Sequence, residues 1–341
     1  MSSAAGVKAL LQKVATGATF SPDSMAEAID LLTTEATSPQ KAAFLMGLRV
    51  RGETQDEITG AARALRGRMT AVAIAPGAID IVGTGGDGHG TFNVSTGAAI
   101  VAAGAGLKVA KHGNRSVSSL SGASDVLAAL GVKLDCTPEQ IARAIDEAGV
   151  GFLWAPAHHP AMKAWAEARG ELGIRTLFNL LGPICNPAGV RHHVLGVFDA
   201  AWVEPMAEAL KALGSERAWV VHGQDGLDEL STTGPTLVAC LDGGKITTFE
   251  VTPEEAGLPR VSLADLKGGD GAHNAQALRD LLAGAPGPYR DIVLLNAAAA
   301  LVVTGRVSTL AEGVGLAEDA IRSGRAAAAL DRLVAVSQSA G

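Results

Sequence analysis

Ile79-Asp80-Ile81-Val82-Gly83-Thr84-Gly85-Gly86-Asp87-Gly88-His89-Gly90-Thr91-Phe92-Asn93-Val94-Ser95-Thr96 decides the fold. Its first four residues read as a short buried strand, and an apolar run of helical character follows from Val94 to Ala105. Between them lie five glycines. Strand, glycine loop and helix in that order open an α/β unit. The chemistry suits an anion. A loop without side-chain bulk lets backbone N–H groups converge on phosphate oxygens, and the helix N-terminus adds partial positive charge. Ser95 and Thr96 add hydroxyls. No Gly-Lys-Ser/Thr follows, so this is not a P-loop. A dinucleotide fingerprint fits Gly83, Gly85 and Gly88 only with Asp87 inside the turn, and no clear acidic ribose partner stands at the usual spacing. A plain connecting turn is the simpler alternative, but five glycines and a polar helix cap favour phosphate.

Working downstream, a strand-like Leu107–Ala110 leads into Lys111-His112-Gly113-Asn114-Arg115-Ser116-Val117-Ser118-Ser119. Cations, an amide and hydroxyls beyond a strand end predict a second anion loop, where α/β folds bind ligands. Asp125–Leu130 reads as a helix, and Thr137-Pro138 caps another that ends near Gly149. Phe152–Trp154, Val194–Phe198 and Ala218–Val221 read as strands, with a helix over Val203–Leu213. Leu237–Phe249 reads as a hairpin around Asp242-Gly243-Gly244. Helices follow over Asn274–Leu282, Asp291–Val303 and Leu310–Leu333. Alternation of this kind predicts an α/β domain with a largely parallel sheet.

Upstream, about 70 residues carry no strand signal. Ser21-Pro22 and Ser38-Pro39 each place a capping Ser before a Pro at a helix start. Met25, Ile29, Leu32 and then Phe44, Leu45, Leu48 recur at helical spacing. Gly52 separates a further helix that runs to about Met69. The expectation is a small all-helical domain over residues 1–74 and a larger α/β domain over 75–341.

Composition bounds the function. The chain has 341 residues, is 48% apolar and 18% charged, and has 42 Gly without a triplet repeat, which excludes a disordered or collagenous protein. A net charge of −7 speaks against a nucleic-acid partner, which needs a Lys/Arg footprint. Cys136, Cys185 and Cys240 show neither disulfide nor zinc spacing and read as reduced thiols of a cytoplasmic protein. No secretory signal is expected from residues 1–20. The apolar stretches are too short or too Gly-broken to cross a membrane.

Three further motifs carry chemistry. Asp225-Gly226-Leu227-Asp228-Glu229 sets carboxylates just past a strand end, which suits a hard cation such as Mg²⁺, or an ordinary acidic turn. His158-His159 has no Cys or carboxylate to complete a metal set, so a pocket wall is favoured; Arg169 is either a helix-surface residue or a bidentate clamp for a carboxylate. Thr176 to Pro187, with Gly182-Pro183 and Asn186-Pro187, reads as a rigid bend.

Together and in this order, Gly-Thr-Gly-Gly-Asp (83–87), Lys-His-Gly-Asn-Arg (111–115), Asn-Leu-Leu-Gly-Pro (179–183) and Gly-Leu-Asp-Glu (226–229) resemble the anthranilate phosphoribosyltransferase family of tryptophan biosynthesis, over nearly the whole chain. The resemblance implies an active site in the cleft between the domains, with helices from about 160–188 returning to the small one. It implies a homodimer formed through the helical domain. It places Gly83, Gly86, Asp87, Thr91, Asn93, Val94, Ser95, Thr96, Lys111, His112, Gly113, Asn114, Arg115, Ser116, Val117, Ser118, Ser119 and Ala123 at phosphoribosyl diphosphate (PRPP). Ser95, Asp228 and Glu229 would hold Mg²⁺; Gly83, Asn114, Arg169, His112, His159, Met162 and Pro183 would meet anthranilate. No covalent nucleophile is implied. Two departures stand out. The order Gly122-Ala123-Ser124-Asp125 lacks a hydroxyl expected at 123, and Ile184-Cys185 replaces the commoner Leu-Thr. A pyrimidine-nucleoside phosphorylase of related fold would instead show a Lys-His-Ser-Thr-Gly-Gly type of loop. Another acceptor on the same fold, or a silent scaffold, are the remaining alternatives.

Overall fold

The computed structural model describes residues 3–115 and 120–339. Helices α1 (Ser3–Ala15), α2 (Pro22–Glu35), α3 (Ser38–Arg51) and α4 (Gln55–Arg66) come first, with no strand among them. Ser21 caps α2 as expected. The α3 cap lies one residue earlier than the Ser-Pro pair suggests: Thr37 is the cap, and its N–H donates to Gln40 Oε1 at 2.9 Å. A Gln three residues beyond a Thr is the stronger signal.

Strand β1 (Ile79–Gly83) then leads through the glycine loop to α5 (Val94–Gly104), β2 (Val109–Gly113), α6 (Ala123–Ala129), α7 (Pro138–Ala148) and β3 (Val150–Trp154). Four short helices follow: α8 (Ala155–His158), α9 (Pro160–Lys163), α10 (Ala166–Leu172) and α11 (Phe178–Leu181). Next come β4 (His192–Gly196), α12 (Val203–Ala212), β5 (Arg217–Gly223), β6 (Thr236–Asp242) and β7 (Lys245–Val251). The chain ends in α13 (Gly271–Leu282), α14 (Pro288–Val303), α15 (Leu310–Arg322) and α16 (Arg325–Gln338).

One seven-stranded sheet runs in the order β3-β2-β1-β4-β5-β6-β7. The first five strands in that order are parallel, and the β6–β7 hairpin extends the sheet antiparallel. The hairpin turns through Gly243 and Gly244, both at positive φ, as a two-residue turn requires. Two boundaries differ from the sequence reading. β2 starts and ends later, so Lys111, His112 and Gly113 lie within a strand, paired with Phe152, Leu153 and Trp154 of β3. Buried partners accept Lys111 there, which a propensity reading scores as loop. The helix expected over Leu310–Leu333 breaks at Gly324, which sits at φ 76° between α15 and α16.

Two large cores flank the sheet. One packs Ile79, Ile81 and Val109 against α5 and α13–α16. The other joins Phe44, Leu48 and Ile58 of the helical bundle to Val82, Leu195 and Val220 of the sheet and to α12. Trp165, Leu177, Phe178 and Leu181 belong to this second core, so the segment after β3 packs with the bundle that opens the chain. Trp165 is fully buried and donates its indole N–H to Thr33 Oγ1 at 2.9 Å. No described helix is long and apolar enough to cross a membrane.

Candidate active site

Parallel strands deliver their loops to one edge of the sheet, and ligands bind there where the connections diverge. β1 sits between β2 and β4, so the loops after β1, β2 and β5 meet at that point.

The loop after β1 needs glycine for its backbone. Gly85, Gly86, Gly88 and Gly90 all have φ between 61° and 79°, where a side chain is strained. A Cβ on any of these four would meet nothing within 4 Å, so the loop faces open space. Neighbours hold it in place. Phe92 N–H donates to the Leu266 carbonyl at 3.0 Å, Gly268 N–H to the Gly90 carbonyl at 3.0 Å, and Lys267 Nζ to the His89 carbonyl at 2.7 Å. Among the described residues, the N–H groups of Gly86, Gly88 and Gly90 have no protein acceptor. A row of unpaired N–H groups on an open loop suits an anion.

The loop after β5 brings Asp228 and Glu229 beneath it. Gly85 N–H donates to Asp228 Oδ2 at 2.6 Å, and Ser95 N–H, in the first turn of α5, donates to Glu229 Oε1 at 3.2 Å. Room for Asp228 is made by glycine: a Cβ at Gly83 would lie 2.3 Å from its Oδ2, and one at Gly196 would lie 1.6 Å from its carbonyl oxygen. Asn296 of α14 fixes a nearby residue, bonding both the N–H and the carbonyl of Leu230. Burial, then the charge of Asp87, pushes the Asp228 carboxyl up to about 6. Burial and the Asp228 charge raise Glu229 well above its ordinary value. Asp225, the other acid of the motif, is not part of this pair. Its carboxylate is taken by Ser231 Oγ, Thr233 Oγ1 and the Leu227 N–H.

Lys111 is buried at the third corner. Burial lowers its ammonium below the usual value, opposed by Asp80 first and then by Glu229 and Asp228. Thr96 is buried with its hydroxyl unpartnered, and Val94 is core. Asn93 is already engaged: its amide donates to the Ser121 carbonyl and accepts from Asn274. Tyr289 donates to the Asn93 carbonyl at 3.3 Å. Thr91 bridges to Lys267. Asn114 and Arg115 are exposed, and Arg115 lies 3.7 Å from Asp125. Ala123 packs beside Gly113, while the neighbouring Ser124 is buried. Ser116, Val117, Ser118 and Ser119 lie outside the described residues.

A second group stands on the other side of β2. His112 Nε2 and His159 Nε2 are 3.1 Å apart, with the rings edge to face. Burial, aided by the neighbouring His158, pushes His159 down to about 4, and burial holds His112 well below the usual imidazole value. His158 turns away to bond the Thr70 carbonyl at 2.8 Å. Pro183 is buried in the bend, and Met162 is half-buried one turn after His159. The Arg169 guanidinium lies over the Phe178 ring at 5.1 Å, and burial lowers its pKa. Among the described residues it has no carboxylate partner. A desolvated cation of this kind recruits an anion.

The sequence motifs miss the supports: Asp80, Asn186, Lys267, Asn274 and Tyr289. Lys267-Gly268-Gly269 before the α13 cap at Asp270 is the available signal for the third of these.

Comparison with known proteins fits this geometry. The model of the glycosyl transferase family a/b domain matches residues 75–327, and that of its helical bundle domain matches residues 8–69. The anthranilate phosphoribosyltransferase of Bradyrhizobium sp. strain BTAi1 is 60% identical over 98% of this chain and 99% of its own length. That of Rhodopseudomonas palustris strain BisA53 is 58% identical over 98% of both chains. Among solved structures, anthranilate phosphoribosyltransferase from Thermus thermophilus superposes with a TM-score of 0.91 at 45% identity, covering 97% of this chain and 99% of its own. The Saccharomyces cerevisiae enzyme, solved in complex with PRPP and Mg, gives 0.91 at 30% identity over 98% and 99%. The chain belongs to the anthranilate phosphoribosyltransferase family.

Proposed function

We propose that the protein transfers the 5-phosphoribosyl group of PRPP to the amine of anthranilate, releasing diphosphate. The observation that carries this reading is the cradle itself. A glycine loop with free N–H groups lies over two buried carboxylates, and the Arg169 guanidinium, without a carboxylate partner among the described residues, lies over the Phe178 ring.

The residue roles follow that division. Gly83, Gly86, Asp87, Thr91, Ser95, Thr96 and Lys111 bind PRPP, with Asn93, Val94 and Gly113 shaping the floor. His112, Asn114, Arg115, Ser116, Val117, Ser118, Ser119 and Ala123 are further PRPP-binding residues on this reading. Asp228, Glu229 and Ser95 hold Mg²⁺. Two adjacent buried carboxylates, Asp228 raised by burial and the Asp87 charge and Glu229 raised by burial and the Asp228 charge, fit a divalent cation. Among the described residues no three His, Cys, Asp or Glu form a complete metal set, so water and substrate phosphate complete the shell. When bound, Mg²⁺ neutralises charge growing on the leaving diphosphate.

The protein's own groups position the reactants. Arg169 binds the anthranilate carboxylate, and His112, His159, Met162, Pro183, Asn114 and Gly83 line its approach. The amine is neutral near pH 7, so its lone pair attacks the anomeric carbon without a strong base. The C–O bond to diphosphate breaks with its electron pair, and the amine then loses a proton. Loop N–H groups and Lys111 stabilise the departing charge.

The same reading divides the chain into residues 1–74, joined by helices from about 160–188, and the remainder, with the site in the cleft between. It includes a cytoplasmic homodimer paired through the helical bundle. Exposed Met46 and Val50 on α3, beside a groove with Val14 and Ala43, support that surface.

Mixing the protein with PRPP, Mg²⁺ and anthranilate should quench anthranilate fluorescence as product forms. No loss with anthranilate, together with consumption of another aromatic acceptor, would overturn the substrate and keep the reaction class.

A further inference from the structure

β1 and β2 part company one residue into their pairing. β1 pairs with β4 over all five of its residues, and β2 pairs with β3 over five. Between β1 and β2 a single pair is formed, Ile79 with Val109, where Ile79 N–H donates to the Lys108 carbonyl at 2.9 Å. Continuing that parallel ladder would join Ile81 N–H to the Ala110 carbonyl, and His112 N–H to the Ile81 carbonyl. Neither occurs. The Ala110 carbonyl instead accepts from Asn186 Nδ2 at 2.8 Å, and His112 N–H donates to Asp80 Oδ1 at 3.1 Å. The two side chains are joined to each other, Asn186 Nδ2 to Asp80 Oδ2 at 2.7 Å, and Asn186 Oδ1 accepts Ala188 N–H at 2.8 Å. Both residues are buried.

We propose that Asp80 and Asn186 are positioning residues that stand in for the missing β1–β2 ladder, so that the strand end carrying Lys111 and His112 is held apart from the glycine loop at the separation the substrates need. The inference rests on the transferase reading above. Its physical reason is direct. Two strands that stayed paired to their ends would close the space between Gly83 and Gly113. Strands parted without partners would leave buried N–H and C=O groups unsatisfied, which is costly. A carboxylate, which only accepts, takes the His112 N–H, and an amide, which donates twice and accepts once, serves the Ala110 carbonyl and ties itself to that carboxylate. Asn186 also ends the bend that contains Gly182, whose backbone faces the His112 ring, so one wedge braces the donor and acceptor sides together.

Asp80→Asn sets two amide N–H groups against each other, and Asn186→Ala removes the wedge. Steady-state kinetics of both variants with PRPP, Mg²⁺ and anthranilate, normalised to folded protein by circular dichroism, test the proposal. The KM for PRPP should rise about tenfold or more, with kcat at saturation within about threefold of wild type, since bound PRPP draws the strand end back. A merely structural role would lower only the folded fraction and leave KM unchanged, and that result would overturn the proposal. If Asp80→Asn does not fold, Asn186→Ser keeps one donor for two acceptors, and its KM should fall between wild type and Asn186→Ala. Wild-type KM values in both Asn186 variants would likewise overturn it. A wild-type protein that consumes no anthranilate would instead refute the transferase reading.

Discussion

Asp228 Oδ2 accepts the Gly85 N–H at 2.6 Å, tying the loop after β1 to the loop after β5 across most of the domain's sequence. Both the shape of the anion cradle and the charge beneath it pass through this one bond. The carboxylate orients the loop, and the loop N–H is one of the few favourable contacts the buried charge has.

Asp228→Asn and Glu229→Gln keep the volume, and the new amide oxygens still accept the Gly85 and Ser95 N–H groups respectively. Each should lower Mg²⁺-dependent kcat by about 100-fold or more, the scale of removing one electrostatic contact to a developing charge. Stability should hold or rise, because one of two repelling buried charges is gone. Turnover assays beside thermal melts without Mg²⁺ check this. Wild-type rates in both variants would sink the metal assignment.

Two glycines surround Asp228 and should fail differently. At Gly196 an added Cβ lies 1.6 Å from a backbone oxygen, which has nowhere to move, so Gly196→Ala should cost about 1–3 kcal/mol or more of stability. At Gly83 the clash is with the Asp228 side chain, which rotates away and releases Gly85. Gly83→Ala should therefore melt near wild type yet lose most of its kcat/KM. Urea melts with kinetics separate the two, and a reversed order would contradict the placement.

How far the sequence foretells this site depends on the kind of signal each residue leaves. The loop from Gly83 to Gly90 is legible because a positive φ demands glycine, and glycine clusters are visible. The Asp228-Glu229 pair stands out as adjacent acids. Asp225 looks equivalent and is not, since its partners Ser231 and Thr233 are ordinary residues whose bonds exist only after folding. Lys111 reads as loop because a lysine inside a parallel strand defies propensity until Asp80, Asp228 and Glu229 are seen around it. Asn274 and Tyr289 reach Asn93 from helices almost two hundred residues away, and no local pattern announces such a contact. The two-part helical and α/β architecture is plain, because periodicity and caps are local.

The His112–His159 contact has a pH signature. Two ring nitrogens 3.1 Å apart share one hydrogen bond, so one ring donates, the other accepts, and neither pair member is protonated further. His159 titrates near 4 in the folded protein against 6.5 in the unfolded chain. Below pH 6.5 the unfolded state takes up a proton that the folded state refuses. The contribution is thus present above 6.5 and lost as pH falls through 4. His159→Gln keeps a hydrogen-bonding group that does not titrate. Its Tm should fall less steeply than that of wild type on acidification, the gap changing by on the order of 5 °C between pH 7 and pH 4.5. Parallel curves would mean that His159 is as free to protonate folded as unfolded.

Arg169 gives the sharpest test of acceptor recognition. Its guanidinium is held over Phe178 and has no carboxylate of the protein among the described residues, so an incoming carboxylate gains a charge-assisted fork at a desolvated site. Arg169→Ala should raise the KM for anthranilate about 10- to 100-fold, the scale of a hydrogen bond to a charged group, and leave the KM for PRPP within about twofold. Arg169→Lys should fall between, since a point charge replaces the fork. Aniline carries the same amine without the carboxylate, so wild type and Arg169→Ala should use it equally poorly. A loss with aniline as large as the loss with anthranilate would show that Arg169 acts on something other than the carboxylate. Equal rises in both KM values would place it between the two substrates.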